Sequence, residues 1–356
     1  MNRTPATLVS PPTATTQAAA PSRPRYVLLV VLAGGAVAGA LIGLAVTVTA
    51  SGGAVTSGPL VAVGLALSRS VLDVQAVITV GMSLLPKFLG PDRTAAHRLP
   101  LVSARLIAVV SAAVWLVAAL VSMVLEVVDV NVGEPFTLAA IGQYVRGVGA
   151  GQAHVVVACG AFVYLVIAVF SLYRHVDVPA EMQIAVALFT LIPLSAAGHV
   201  AFGAQSLRNL ALVSIELHVL SAVSWTGGLL AVMLLLGLDR DLLATALPRF
   251  SRLATVCVFL TGFTGLFNGW YELWSTPGIH WYTAAFTTRY GWVLIGKALC
   301  IATAGLLGGY TRFRLLPRIV ERRTTAVVTW TTVEVGVLAV AFGLAAVLIR
   351  APVVTG

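Results

Sequence analysis

Residues 184–236 read IAVALFTLIPLSAAGHVAFGAQSLRNLALVSIELHVLSAVSWTGGLLAVMLLL. Two apolar runs, each close to the ~20 residues that cross a bilayer core, flank a short polar joint. A short joint makes the two helices antiparallel neighbours. His199 stands near the end of the first run and His218 inside the second. Imidazole is costly to bury in hydrocarbon, so an intramembrane histidine is a functional candidate by default. The hairpin therefore sets both the fold class and the first candidate site.

The rest of the chain repeats the pattern. Hydrophobic residues make up 59% of 356 and charged residues 10%, and the mean hydropathy is +0.97. A soluble domain carries about 25% charge. Nine apolar spans are expected, at 26–50, 60–85, 102–128, 151–172, 180–203, 210–236, 253–274, 290–310 and 327–349. The short alternating strands of a transmembrane barrel do not occur. The fold class is thus all-α, a polytopic transmembrane bundle in the cell membrane. It divides into a tail at 1–25, a four-helix membrane region at 26–178 and a five-helix membrane region at 179–350. The tail is rich in Pro, Thr, Ala and Ser, a composition that builds no core and reads as disordered. The first apolar run starts too late and is too long for a cleaved signal peptide.

Basic residues set the orientation. Sixteen lie in the tail and in alternate loops, among them Lys87, Arg93, Arg249 and Arg312, against four (Arg146, Arg208, Arg289, Arg350) on the other side. This bias places the N-terminus in the cytoplasm and the C-terminus outside. It also explains the net charge of +9 without nucleic acid. In that frame His154, His199, His218 and His280 face or approach the exterior, while His97 and His175 are cytoplasmic.

At ~1.5 Å per residue His199 lies about 6 Å and His218 about 12 Å below the outer surface. Two imidazoles at such depths can meet around one metal ion of the copper, zinc, iron or nickel kind. Ser195 and Ser214, each four residues before a histidine, are candidate partners for the other ring nitrogens. The competing reading is two separate histidines, each bonded to a carbonyl between helices. His154 and His280 are possible auxiliary ligands, with His280 in an aromatic-rich outer loop over 271–289. Paired histidines on neighbouring helices also suit a bis-histidine haem.

Charged residues inside the spans form a second group. Arg69 and Asp73 stand at i, i+4 and can pair on their own helix. Glu216, Lys297 and Glu334 have no local partner, and each costs about 2.5–3.5 kcal/mol at a helix centre, so each should face the bundle interior. Similar depth makes Glu216–Lys297 a candidate pair, and an ion path the alternative. Gly34, Gly35, Gly39 and Gly43 in the first span allow close helix approach. Trp115, Trp225, Trp270, Trp274, Trp281 and Trp292 mostly fall where an interfacial aromatic belt is expected.

What is missing narrows the function. Cys159, Cys257 and Cys300 stand alone in apolar runs, with no CxxC pair, and read as small packed residues. The four methionines after Met1 share no helix, which excludes a methionine ladder for Cu(I). There is no P-loop, no nucleotide fingerprint, no HExxH and no Ser-His-Asp arrangement. The expectation is a protein that is not an enzyme and binds neither nucleotide nor nucleic acid.

Over residues 199–317, about a third of the chain, the sequence resembles the copper resistance protein D (CopD) family. The matching stretches are GHVAFG around His199, ELHVLSAVSWTGGLL with His218 and Trp225, PRFSRLATVCVFLTGFTGL with Arg252 and Gly265, and TTRYGWVLIGKALCIATAGLLGGYTRFRLLP with Tyr290, Lys297 and Arg312. The first five spans, including RSVLDVQAVITVGMSLL, resemble the N-terminal part of longer proteins that join a CopD region to a cytochrome oxidase assembly (CtaG-like) region. The chain stops after the ninth span, so that second region is not expected. The resemblance implies copper handling at the cell membrane, by uptake or resistance, with His199 and His218 as copper ligands. It implies a lipid-embedded protein whose partner is an extracellular or periplasmic copper chaperone or an oxidase assembly factor. The absence of Met-rich outer loops departs from high-capacity copper capture. The alternatives of a different class are a haem-binding electron carrier and an assembly subunit without a ligand.

Overall fold

The computed structural model describes residues 23–48, 58–91, 94–174, 178–196, 205–276, 278, 280–315 and 327–351. His199 and His175, and most of the N-terminal tail, lie outside them. The described residues form α1 (Arg23–Val48), α2 (Pro59–Leu89), α3 (Ala95–Val130), α4 (Leu138–Gly147), α5 (Gly149–Tyr173), α6 (Ala180–Ala196), α7 (Gln205–Leu236), α8 (Arg240–Ser275), α9 (Trp281–Thr287) and α10 (Arg289–Tyr310). A π-helical turn (Thr311–Leu315) and α11 (Val327–Leu348) follow. The fold is an all-α membrane bundle. Eight helices are long and apolar enough to cross a membrane, and α6, shorter in its described part, occupies the place of the fifth expected span.

Several helices outrun their apolar cores. α3 and α8 have 36 residues each, about 54 Å at 1.5 Å per residue, against a hydrocarbon core of about 30 Å. α8 starts at Arg240, capped by Asp239, whose side chain accepts from the backbone N–H groups of Asp241 and Leu242. It continues through Pro248 into the span expected from residue 253. α4 and α9 are short helices between spans. α1 begins at Arg23 rather than at residue 26.

Ends that should share a membrane face do so. Lys87 near the end of α2 pairs with Glu181 at the start of α6. Arg249 Nη1 of α8 donates to the Phe88 and Leu89 carbonyls at the end of α2, 2.9 Å each. Gly90 (φ +88°) leaves room for that guanidinium, since a Cβ there would stand 2.7 Å from Nη1. At the other face Arg350 pairs with Glu126 and Asp129 at the end of α3, and Arg289 Nη1 donates to the Val46 carbonyl, 3.2 Å. Tyr144 of α4 donates to Glu126 there, 3.0 Å.

Small residues make the closest crossings. A Cβ on Gly39 would stand 2.2 Å from the Val340 carbonyl oxygen, so α1 lies directly on α11. Gly35 and Gly43 also press on α11, while Gly34 meets nothing within 4 Å. α2 and α7 cross at Gly81 and Gly227, each against the other helix's backbone. This packing makes α7 the central helix, buried continuously from Trp225 to Leu236. Trp115 (1% exposed) and Trp225 (2%) sit inside the bundle, not in the interfacial belt where the sequence put them. Trp270, Trp274, Trp281 and Trp292 are exposed, as a belt requires.

Candidate functional site

His218 projects from α7 towards α8 and is 7% exposed. Its Nδ1 lies 3.1 Å from the Thr261 carbonyl oxygen and 3.3 Å from Thr264 Oγ1. A carbonyl only accepts, so Nδ1 carries the hydrogen and Nε2 of the neutral ring keeps its lone pair. This is how a metal-ligating imidazole is oriented by its neighbours. Gly265 lies under the ring, where a Cβ would stand 2.9 Å from Cε1. Ser221 completes the support: its hydroxyl is 2.8 Å from Thr261 Oγ1 and donates to the His218 carbonyl at 3.1 Å. The partner of Nδ1 therefore comes from α8. Ser214, expected one turn earlier on α7, has a buried hydroxyl without a hydrogen-bond partner.

The ring borders a cavity of about 190 Å³ between α2, α7, α8, α10 and α11. Its walls carry Arg69 and Asp73 from α2, Asn268 and Glu272 from α8, and Tyr290 and Lys297 from α10. Arg69 Nε stands 3.3 Å from Asp73 Oδ1, the i, i+4 pair expected. Lys297 lies in electrostatic range of Asp73. Glu216, its expected partner, does not line the cavity. Both polar atoms of the Asn268 amide are buried without a hydrogen-bond partner, as is Thr226 Oγ1. Buried polar groups normally find partners, and a ligand or water in this cavity would supply them.

Asn268 and Glu272 were not singled out from the sequence, yet a signal exists. Thr261, Thr264, Asn268 and Glu272 recur at three- and four-residue spacing along α8, one polar stripe on an otherwise apolar helix.

The other histidines lie elsewhere. His154, buried in α5, has Nδ1 2.8 Å from the Ala150 carbonyl oxygen and does not line the cavity. His280 precedes α9, stacks on Tyr282 with ring centroids 5.6 Å apart, and does not line it either. Among the described residues no three His, Cys, Asp or Glu side chains gather closely enough to hold a metal ion. His199 lies outside those residues, so its separation from His218 is not described. The three cysteines are free, Cys257 buried and Cys159 exposed on α5.

A second cavity of about 350 Å³ opens in the other half of the bundle. Glu334 of α11, 2% exposed, lines it together with Trp225 of α7. Trp225 also lines the first cavity, so this one side chain stands between the two.

The class defined so far is a polytopic membrane helix bundle with a histidine-bearing polar cavity. Two family models make it specific: copper resistance protein D matches residues 244–348, and the copper resistance protein D-like N-terminal domain matches residues 60–208. Together they cover most of the chain, which belongs to the CopD family of copper resistance membrane proteins. No curated protein and no solved structure matches it.

Proposed function

We propose that this protein binds copper in the first cavity and carries it across the membrane or to a membrane partner, without catalysing a reaction. His218 Nε2 is the first ligand. His199, which lies outside the described residues and follows α6 in sequence, is the second. Asn268 Oδ1 and the Glu272 carboxylate are oxygen neighbours on the same cavity wall. The observation that carries the reading is the Thr261 carbonyl on Nδ1, which leaves Nε2 as the available lone pair beside an unsatisfied polar cavity. Imidazole with one or two oxygen neighbours suits copper, zinc, iron and nickel alike, and the family match favours copper among them. Asp73, Arg69 and Lys297 set the charge the metal meets, while His154 and His280 play no part in this site.

The basic face, with Lys87, Arg249 and Arg312, is taken as cytoplasmic. The first cavity then lies in the outer half. The membrane potential favours inward movement of a cation, fed by an outer-face copper chaperone or drawn off by an oxidase assembly factor. The test is metal analysis with an absorption spectrum of purified wild type, His218→Ala and His199→Ala/His218→Ala. Copper retained by wild type, reduced in the single variant and absent in the double supports the reading. Copper content unchanged in the double variant refutes it.

A further inference from the structure

The second cavity has features that the first site does not use. Glu334 lies about a third of the way along α11, 2% exposed, and makes no ion pair among the described residues. One turn before it, Thr331 is 1% exposed and its hydroxyl has no hydrogen-bond partner. Thr311, 8% exposed and also without a partner, faces the same space. Gly305, Gly308 and Gly309 keep the α10 wall bare, and a Cβ on Gly308 would stand 3.1 Å from Glu334 Oε1. A carboxyl group, two idle hydroxyls and open space form an oxygen-donor site, with Arg312 the one basic side chain in its lining.

The charged groups around it are few. Of the residues lining the cavity, only Glu334 and Arg312 carry titratable or charged groups. Arg312 Nη1 is already engaged by α8, donating to the Ser251 carbonyl at 2.9 Å and to the Thr255 hydroxyl. α7 presents the uncharged indole of Trp225. α1 and α2 contribute no side chain to the lining. A carboxylate buried in this way, in no ion pair and with Arg312 held on α8 instead, is expensive. It is stable as the neutral acid, or as the anion with a cation beside it.

We infer that the second cavity is a relay site for copper, in which Glu334 gives up its proton as the ion arrives and takes one back as it leaves. The exchange balances: the carboxylic acid and the cation become a carboxylate–cation pair and one released proton, with no change of oxidation state. This rests on the copper reading of the first cavity. From His218 to Trp225 is seven residues, about 10 Å along α7, so the indole marks the step from one site to the next. Carboxylate and hydroxyl oxygens hold a soft ion less tightly than imidazole does. A weaker second site is what passage requires, because an ion must be able to leave.

The test is dicyclohexylcarbodiimide labelling of the purified full-length protein, since the reagent modifies protonated carboxyl groups in apolar surroundings. Modification at Glu334 is read by mass spectrometry of its peptide, with and without copper(I) kept reduced by ascorbate. The expected result is labelling of Glu334 in the metal-free protein, slowed about tenfold by copper, a factor worth about 1.4 kcal/mol. Thr331→Val should weaken that protection while leaving the copper bound at the first cavity unchanged. In liposomes Glu334→Gln should keep His218-dependent copper binding and lose copper passage. Two results overturn the inference: a Glu334 that never labels, or one that labels equally fast when copper is bound at the first cavity. Failure of the first-site reading looks different, because copper content would then be the same in wild type and in His199→Ala/His218→Ala, and the relay would fall with it.

Discussion

Gly265→Ala is the most direct probe of how His218 is held. An alanine Cβ at this position stands 2.9 Å from His218 Cε1 and 3.3 Å from Nδ1. Carbon contacts settle at about 3.5–4.0 Å, so the ring must retreat from α8 by roughly 0.6–1.1 Å. The Thr261 carbonyl that receives the Nδ1 hydrogen is itself on α8, at 3.1 Å. The retreat lengthens that bond towards about 4 Å, beyond any useful geometry. A lost neutral hydrogen bond is worth about 0.5–1.5 kcal/mol, and alanine returns about 1 kcal/mol of helix propensity over glycine. Stability should therefore be nearly unchanged. Metal affinity should fall about 10–100-fold, the usual effect of disturbing the group that orients a ligand. The assay is copper(I) competition titration beside a thermal melt, with Gly262→Ala as control. A Cβ on Gly262 meets nothing within 4 Å, so that variant should bind copper as wild type does and melt no lower. Wild-type affinity in Gly265→Ala, or equal losses in both variants, would refute the account of His218.

Three further outcomes follow from the packing. Gly227→Ala puts a Cβ 2.3 Å from the Val77 carbonyl oxygen; backbone cannot yield as a side chain does, so α2 and α7 must part, at a cost of about 1–3 kcal/mol or more, seen as a poorer monodisperse yield in size-exclusion chromatography. Arg69→Met leaves the half-buried Asp73 carboxylate with only Lys297 in range and should destabilise by about 1–3 kcal/mol, less than the loss for a fully buried pair, with Arg69→Met/Asp73→Leu recovering much of it; a thermal melt in which the single variant matches wild type would contradict the pairing. Tyr144→Phe removes the bond to Glu126 and should cost about 0.5–1.5 kcal/mol. Burial, and then the Glu126 charge, push the Tyr144 phenol above its ordinary range. The contribution of Tyr144 is thus fully present below the free phenol value and is lost only as pH rises through the raised folded value, so melts of wild type and variant should differ by a constant amount from neutral to mildly alkaline pH.

The helices were legible because a long apolar run has few ways to satisfy its backbone in lipid. Their ends were not: α8 starts thirteen residues before its apolar stretch, since Asp239 caps it and the polar first turns are stabilised by contacts such as Arg249 on α2. His218 was legible as a candidate because its chemistry is out of place in hydrocarbon. Its partners were not. A helical pattern points to neighbours on the same helix, which suggested Ser214, whereas the contact is made across helices to Thr261. The same limit made Glu216 the apparent partner of Lys297. Depth along a span says nothing about which way the helix is turned, and rotation brings Asp73 to the Lys297 side of the cavity instead.

The charges around the first cavity yield a last prediction. Its walls carry two basic side chains, Arg69 and Lys297, and two acidic ones, Asp73 and Glu272. Formally these cancel, so an arriving cation finds no large net field to draw it in. A site that gathered ions by charge would show a surplus of carboxylates and a steep fall in binding with salt. Here affinity must come from bonds to a specific lone pair, the His218 Nε2, and the surrounding charges serve to avoid repelling the metal. Copper affinity should therefore change by less than about threefold between low and physiological ionic strength, the Debye length falling from about 30 Å at 0.01 M to about 8 Å at 0.15 M. Lys297→Met removes one positive charge and should raise affinity for copper while raising affinity for magnesium as well, because it makes the cavity electrostatically attractive to any cation. A steep salt dependence in wild type, or selectivity for copper untouched by Lys297→Met, would mean that charge and coordination are divided differently around this cavity.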